Sequence, residues 1–315
     1  MSAWPSRVAV VGAGTMGVGI SHVFATNGIA TVLVDATPQL SQAARGRSLS
    51  LLERLAEAGT VAADRVATAE RHLSAAASIA DAVQGAELVV EAVVERADVK
   101  TSVYETIEAS AADAAVIATN TSSIPIAELA AGLRHPDRFL GVHWFVPPLL
   151  VPCVEVIPAA TTGAQVVDDV VGTLRRLGKA AVVVGDGPGF VANRIQFAMF
   201  REAARVVEDG VATAEQVDEV VRSSFGFRLP FFGPFTIADM AGLDVYADIF
   251  DTLERGLGPG FAAPAILREH VERGALGVKA GGGFLDLSQT QADALIDRRD
   301  RAYVALAGLR QELER

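Results

Sequence analysis

The sequence predicts a doubly wound α/β domain with a mostly parallel sheet, followed by an all-α domain. Three observations carry this. Short apolar runs alternate with helical patterns through the first 187 residues. The first run opens onto a glycine-rich turn, Gly12-Ala-Gly14-Thr15-Met16-Gly17, with a helix behind it. From Phe190 onward the periodicity is helical, with short loops only. The predicted domains are 1–187 and 188–315, divided at Asp186-Gly-Pro-Gly189, in a chain of 315 residues that is long enough to bury two cores.

Taken in order, Arg7–Val11 is the first strand. An apolar helix follows to about Asn27, and Gly28 ends it. Thr31–Val34 is the second strand and closes on Asp35. Helices over 38–58 and 62–72 lead to strands at Leu88–Val94, Ala115–Ala118, Arg138–Val142, Val151–Ile157 and Ala181–Val184. Beyond the boundary come helices over 190–209, 213–224, 234–256, 263–273 and 291–313. Ser288 and Gln291 form a capping box for the last of these. Its stripe of Ala302, Leu306, Leu309 and Leu313 is expected to pack on the helical domain or on a second subunit.

Composition excludes some classes. A net charge of −11 argues against a nucleic-acid partner. The single cysteine, Cys153, allows neither an intrachain disulfide nor a cysteine-based metal site, and within its apolar run it reads as a packed thiol. The N-terminal residues lead straight into a strand without a secretory pattern. No apolar stretch reaches the roughly 20 residues of a membrane span. The cytoplasm is therefore the expected location. Lysine occurs only at Lys100, Lys179 and Lys279, positions where a compact ammonium is expected to matter.

The glycine turn implies a dinucleotide. Gly12 permits the tight turn, Gly14 lets the backbone approach a pyrophosphate, and Gly17 lets the helix pack close to the strand. Phosphates would then face the helix N-terminus. Asp35, eighteen residues beyond Gly17, is placed to accept hydrogen bonds from ribose hydroxyls and to repel a 2′-phosphate, which favours NAD over NADP. Arg45 and Arg47 read as too far along the following helix to clamp such a phosphate.

His143 and Glu155 are the candidate acid/base pair. Glu155 interrupts an apolar run, and a carboxylate there needs a partner because an unpaired buried charge is unfavourable. An imidazole held by a carboxylate is a proton-transfer group near neutral pH. A purely structural ion pair is the alternative that these two residues leave open.

Several stretches together resemble the NAD-dependent L-3-hydroxyacyl-CoA dehydrogenase family. They are 12–20 (Gly-Ala-Gly-Thr-Met-Gly-Val-Gly-Ile), 91–100 (Glu-Ala-Val-Val-Glu-Arg-Ala-Asp-Val-Lys), Asn-Thr-Ser-Ser at 120–123, Gly-Val-His-Trp-Phe at 141–145 and Val-Glu-Val-Ile at 154–157. Gly-Pro-Gly-Phe-Val-Ala-Asn-Arg at 187–194, Gly-Pro-Phe at 233–235, Ala-Gly-Leu-Asp at 241–244 and Leu-Gly-Val-Lys-Ala-Gly-Gly-Gly-Phe at 276–284 complete the series. The resemblance implies a Rossmann domain, a helical domain carrying homodimer contacts, and an active site in the cleft between them. It implies that His143 is the catalytic acid/base, that Glu155 orients it, and that Ser122 and Asn193 stand near the substrate oxygen. The glycine turn with Thr15 and Met16, Asp35, Glu95, Lys100, Asn120 and Lys279 would surround NAD. Read alone, Ser122 and Asn193 are equally good helix caps. As a dehydrogenase, the protein would oxidise a secondary alcohol faster as pH rises and His143 loses its proton.

The chain departs from the family pattern in four places. Val146 stands where an asparagine is typical. The helix after Asp35, which is lysine-rich in acyl-CoA users, has one arginine and two glutamates over 48–59. The loop 226–233 is longer and carries Arg228, a candidate for gripping a substrate carboxylate. The chain also continues past Phe284. Three readings follow: a 3-hydroxyacyl-CoA dehydrogenase, the same chemistry on a small free hydroxy acid, or a catalytically silent NAD-binding protein.

Overall fold

The computed structural model describes residues 5–286 and 288–313. The expectation for the first four residues lies outside that range. Eight strands form one sheet: β1 (Arg7–Val11), β2 (Ala30–Val34), β3 (Leu73–Ala75), β4 (Leu88–Glu91), β5 (Val116–Thr119), β6 (Phe139–Trp144), β7 (Cys153–Pro158) and β8 (Ala180–Val183). Their order is β3-β2-β1-β4-β5-β6-β7-β8. Every pairing is parallel except β6 with β7. The order reverses direction between β1 and β4, the switch point at which doubly wound sheets bind ligands.

The two faces of the sheet are buried separately because alternate side chains point to opposite sides. Val8 and Val10 pack with residues of the helices Thr15–Ala25, Pro38–Glu57 and Ala164–Arg176. Ala9 and Val11 pack with residues of Ile79–Val83, Ala97–Ser110 and Ile126–Ala130. β3 and the helix Ile79–Val83 are not predicted from sequence, since three- and five-residue elements are too short to show a period. The predicted strand 88–94 stops at Glu91, and β6 runs on through His143 to Trp144.

Compactness divides the chain into Met1–Met199 and Phe200–Arg315, a break within the helix Ala192–Glu208 rather than at the pattern change near 187. The start of that helix belongs with the sheet because the Val191 and Ala192 amides donate to Glu155 on β7. In the second unit, the predicted helix 234–256 is two helices, Pro234–Ala241 and Leu243–Leu257, broken at Gly242 with φ 105°. Leu243, Leu267 and Phe284 pack together there. Buried Asp239 accepts the amides of Phe284 and Leu285 at 3.0 and 2.8 Å. The Ser288–Gln291 capping box is formed. Of the terminal stripe, Ala302 and Leu306 are half-buried while Leu309 and Leu313 are exposed. Among the described residues, no helix is long and apolar enough to cross a membrane.

His22, in the first helix, is fully buried and meets the Ser48 carbonyl oxygen at 3.1 Å. Burial pulls it from 6.5 down to about 4, opposed by that hydrogen bond. The folded protein thus resists a proton that the unfolded chain accepts, so stability is full above pH 6.5 and is lost as pH falls toward 4. The loss expected from this group is on the order of 3 kcal/mol. Urea midpoints between pH 7 and pH 4 should fall less steeply for His22→Gln than for the parent, and equal slopes would refute the assignment.

Candidate active site

The glycine turn has the geometry that each glycine predicts. At Gly12, with φ 98°, an added Cβ would lie 2.5 Å from the Ala92 carbonyl oxygen, and at Gly17 it would lie 1.7 Å from that of Gly12. Backbone therefore enforces both glycines. At Gly14 an added Cβ meets no protein atom within 4 Å, so the open space there is what a phosphate would use. Thr15 is exposed beside it, and Met16 packs against the core. Asp35 follows β2 and turns one carboxylate oxygen back onto the Ala13 amide, at 2.8 Å. A cavity of about 370 Å³ lies beside it, lined by Gly12, Gly14 and Asp35 and by the aliphatic Ile79, Val99 and Val103. This suits an adenosine, with ribose hydroxyls at the acid and the base among aliphatic groups.

A second cavity, of about 600 Å³, borders the same turn and is lined by Gly14, Thr15, Arg47, Ser50, Leu51 and Arg54. Arg47 was expected to lie too far along its helix, yet it reaches toward the Ala13 carbonyl, at 3.5 Å. Arg45 is the residue that turns away, donating to the Leu73 carbonyl at 2.8 Å. The spacing 47, 50, 51, 54 is one helical face, a signal that was present in the sequence.

His143 and Glu155 are directly opposed across the antiparallel β6–β7 pair. Their Nδ1 and Oε2 atoms are 2.7 Å apart, and both residues are buried. The other Glu155 oxygen, Oε1, accepts the Val191 and Ala192 amides at 3.0 and 2.9 Å. These three bonds fix the carboxylate in one orientation. An acceptor at Nδ1 puts the ring proton there and leaves the Nε2 lone pair for a substrate. Two rings flank the imidazole, Phe145 at 4.6 Å and Phe190 at 5.6 Å between centroids. Phe190 holds φ 49°, an unfavourable conformation for a bulky residue, just before the amides that bind Glu155. Nothing in the sequence singles out that strain.

The polar residues expected near the substrate form a linked set. Glu95 Oε1 accepts from the Thr121 hydroxyl (2.7 Å) and from the Ser122 and Ser123 amides (2.7 and 3.0 Å). The hydroxyls of Ser122 and Ser123 each lie 3.2 Å from the same oxygen. Partial burial alone would raise the Glu95 carboxyl, but these donors and Lys100 together hold it below the usual carboxylate range. Asn193 Nδ2 donates to the Ser122 carbonyl at 3.1 Å, which leaves its second amide hydrogen. Neither residue is a helix cap in this arrangement. Asp186 takes the Ile126 and Ala127 amides and Glu155 takes those of 191 and 192. Asn120 Oδ1 accepts the Trp144 amide at 2.9 Å, tying β5 to the end of β6.

Lys100 does not line the cofactor surface as expected. It is fully buried and donates to both Glu91 oxygens, at 2.8 and 3.1 Å, and lies 3.4 Å from Glu95. Glu91 is the residue that sequence reasoning passed over: it is fully buried and is also bound by Tyr104, Thr119 and the Val93 amide. The logic applied to Glu155, a carboxylate in an apolar strand, would have found it. Lys279 belongs to the second unit and is bound to both oxygens of Asp244, each at 2.6 Å. Arg228 lies in that unit too, where it lines a cavity of about 410 Å³ with Met240, Arg299 and Tyr303. The longer loop and the C-terminal helix meet here, with Phe227 and Phe232 edge-on to Tyr303. Among the described residues, no group of three or more His, Cys, Asp or Glu is placed to hold a metal ion.

Comparison with known proteins matches residues 7–187 to the 3-hydroxyacyl-CoA dehydrogenase NAD binding domain and residues 189–287 to the C-terminal domain of the same family. The chain belongs to the 3-hydroxyacyl-CoA dehydrogenase family. It is accordingly an NAD-dependent oxidoreductase acting on a CH–OH group, with a Rossmann-type sheet followed by helices. It is 36% identical over 284 residues to a probable 3-hydroxybutyryl-CoA dehydrogenase of Bacillus subtilis, covering 90% of this chain and 98% of that one. It is 35% identical over 301 residues to the 5-formyl-3-hydroxy-2-methylpyridine 4-carboxylate 5-dehydrogenase of Mesorhizobium japonicum, covering 95% and 96%. Among solved structures, the 3-hydroxyacyl-CoA dehydrogenase of Archaeoglobus fulgidus superposes with a TM-score of 0.80 at 31% identity, over 96% of this chain and 99% of that one.

Proposed function

We propose that the protein interconverts a 3-hydroxyacyl group, carried as a CoA thioester, and its 3-oxo form, within fatty acid metabolism. The bound nicotinamide supplies the hydride acceptor. His143 Nε2 takes the hydroxyl proton as the carbonyl forms, and Glu155 stabilises the imidazolium. Asn193 offers its free amide hydrogen to the substrate oxygen. Ser122 joins it once its hydroxyl turns from Glu95, so that the pair orients the reacting carbon. The observation that carries the CoA reading is the cavity with Arg47 and Arg54 beside the glycine turn, two guanidinium groups suited to phosphates. Arg47, just before 48–59, adds to the single arginine of that stretch.

A second reading, a small free hydroxy acid, is favoured by Arg228 in its cavity and by the longer coverage of the pyridine carboxylate enzyme. NADH formation with 3-hydroxybutyryl-CoA and a panel of free hydroxy acids separates the two. Turnover of the thioester is expected, activity on free acids alone would transfer the assignment, and no activity at all would favour a silent NAD-binding protein.

The same reading includes a homodimer in the cytoplasm. The helices Ala192–Glu208 and Ala214–Ser223 contain no buried residue, while Ile195, Phe197, Phe200 and Val220 are exposed. A second copy would cover these apolar side chains. Sedimentation should return twice the 32.9 kDa chain mass, and a monomer at micromolar concentration would reject the dimer. Fractionation of cells should recover the enzyme with the cytosol rather than with membranes.

A further inference from the structure

Lys179 is buried, yet no carboxylate approaches it within ion-pair distance among the described residues. It follows Gly178 (φ 79°) in the turn after the helix Ala164–Arg176, and its ammonium points into the loop 145–152 between β6 and β7. There it donates to three backbone carbonyls, those of Pro148, Leu149 and Val151, at 2.5, 3.2 and 3.0 Å. Its third side is the Trp144 ring, with the ammonium 5.9 Å from the centroid. A buried cation is strongly unfavourable unless its donors are satisfied, and here one loop supplies every acceptor. The same loop is closely fitted against Gly19, where an added Cβ would lie 2.6 Å from Pro148. The loop begins with Phe145, whose ring lies 4.6 Å from that of His143 at a tilt of 56°, and presents Val146 to solvent.

We infer that Lys179 is a positioning residue for the reaction: its ammonium, bound to three loop carbonyls, sets the conformation of 145–152 and thereby places Phe145 beside His143 for the substrate. Lowering of its proton affinity by burial is consistent with this enclosed position. Methionine at 179 would keep the length and apolar stem but remove all three bonds.

The test has two arms, of which only the kinetic one rests on the dehydrogenase reading. In Lys179→Met, the Leu150 and Val151 amides, both bonded to the Pro147 carbonyl at 3.0 Å, should exchange hydrogen roughly tenfold faster or more than in the parent, the effect of losing charge-assisted bonds. With whichever substrate the parent oxidises, KM should rise by a similar factor while the Kd for NAD stays unchanged. Unchanged exchange overturns the inference, and so does faster exchange with unchanged substrate KM or with an equal loss of NAD affinity. Should Lys179→Met not fold, Gly19→Ala decides. It presses on the Pro148 ring and should raise the same KM without altering NAD binding, and an unaltered KM there is equally fatal.

Discussion

Alanine at position 143 is expected to lower turnover by roughly 10²-fold or more, the usual contribution of a positioned general base. The geometry makes the expectation specific. His143 has its Nδ1 committed to Glu155, 2.7 Å away, and Glu155 has its other oxygen committed to two amides. The pair is thus locked in one orientation before any substrate arrives, with Nε2 as the working atom. Glu155→Gln keeps the shape and removes the charge that, in the proposed relay, would stabilise the imidazolium. It should also cost on the order of 10² in kcat, with the Kd for NAD unchanged, because the dinucleotide cavity lies at β1, β2 and β4. Steady-state kcat measured with the parent's substrate, beside fluorescence titration of NADH, checks both. A His143→Ala enzyme with parental turnover would end the proton-relay proposal and restore the structural ion pair.

Lys100→Met carries the largest expected stability effect. It leaves Glu91, with no exposed surface, charged and without its cation. Breaking a buried pair from one side costs about 3–5 kcal/mol. The Val93 amide and the Tyr104 and Thr119 hydroxyls remain on Glu91, which argues for the lower half of that range. Urea unfolding measures it directly. Removing both charges, as Lys100→Met with Glu91→Gln, should recover part of the loss, since the amide oxygen still accepts from buried donors without a charge to desolvate. A single variant as stable as the parent would show that the pair contributes nothing. Because Lys100 also faces Glu95 at 3.4 Å, the single variant should loosen the Thr121–Ser123 segment as well.

The sheet was legible because its signals are local. β1, the glycine turn and Asp35 fall within one strand-turn-helix-strand unit, and alternating burial on both faces makes each central strand a short apolar run. The His143–Glu155 pair was legible for a related reason: a lone carboxylate in an apolar run demands a partner. Lys100 was not, since position near a motif does not reveal whether an ammonium points at a ligand or into the core. Arg47 and Arg54 shared a helical face in the sequence, but only packing showed that this face borders Gly14. Ser122 and Asn193 looked like caps until Asp186 and Glu155 were seen to hold those amides instead.

What the sequence determined by itself, then, is the fold class, the glycine turn and the candidate pairing of His143 with Glu155, because each rests on period, spacing or the cost of an unpaired charge. Only the tertiary structure decided the antiparallel register that sets His143 against Glu155, the burial of Lys100 on Glu91, and the grip of Lys179 on the loop at Phe145. These depend on which distant backbone and side-chain atoms meet, and a hydrogen bond of about 3 Å between residues far apart in the chain leaves no trace in their spacing.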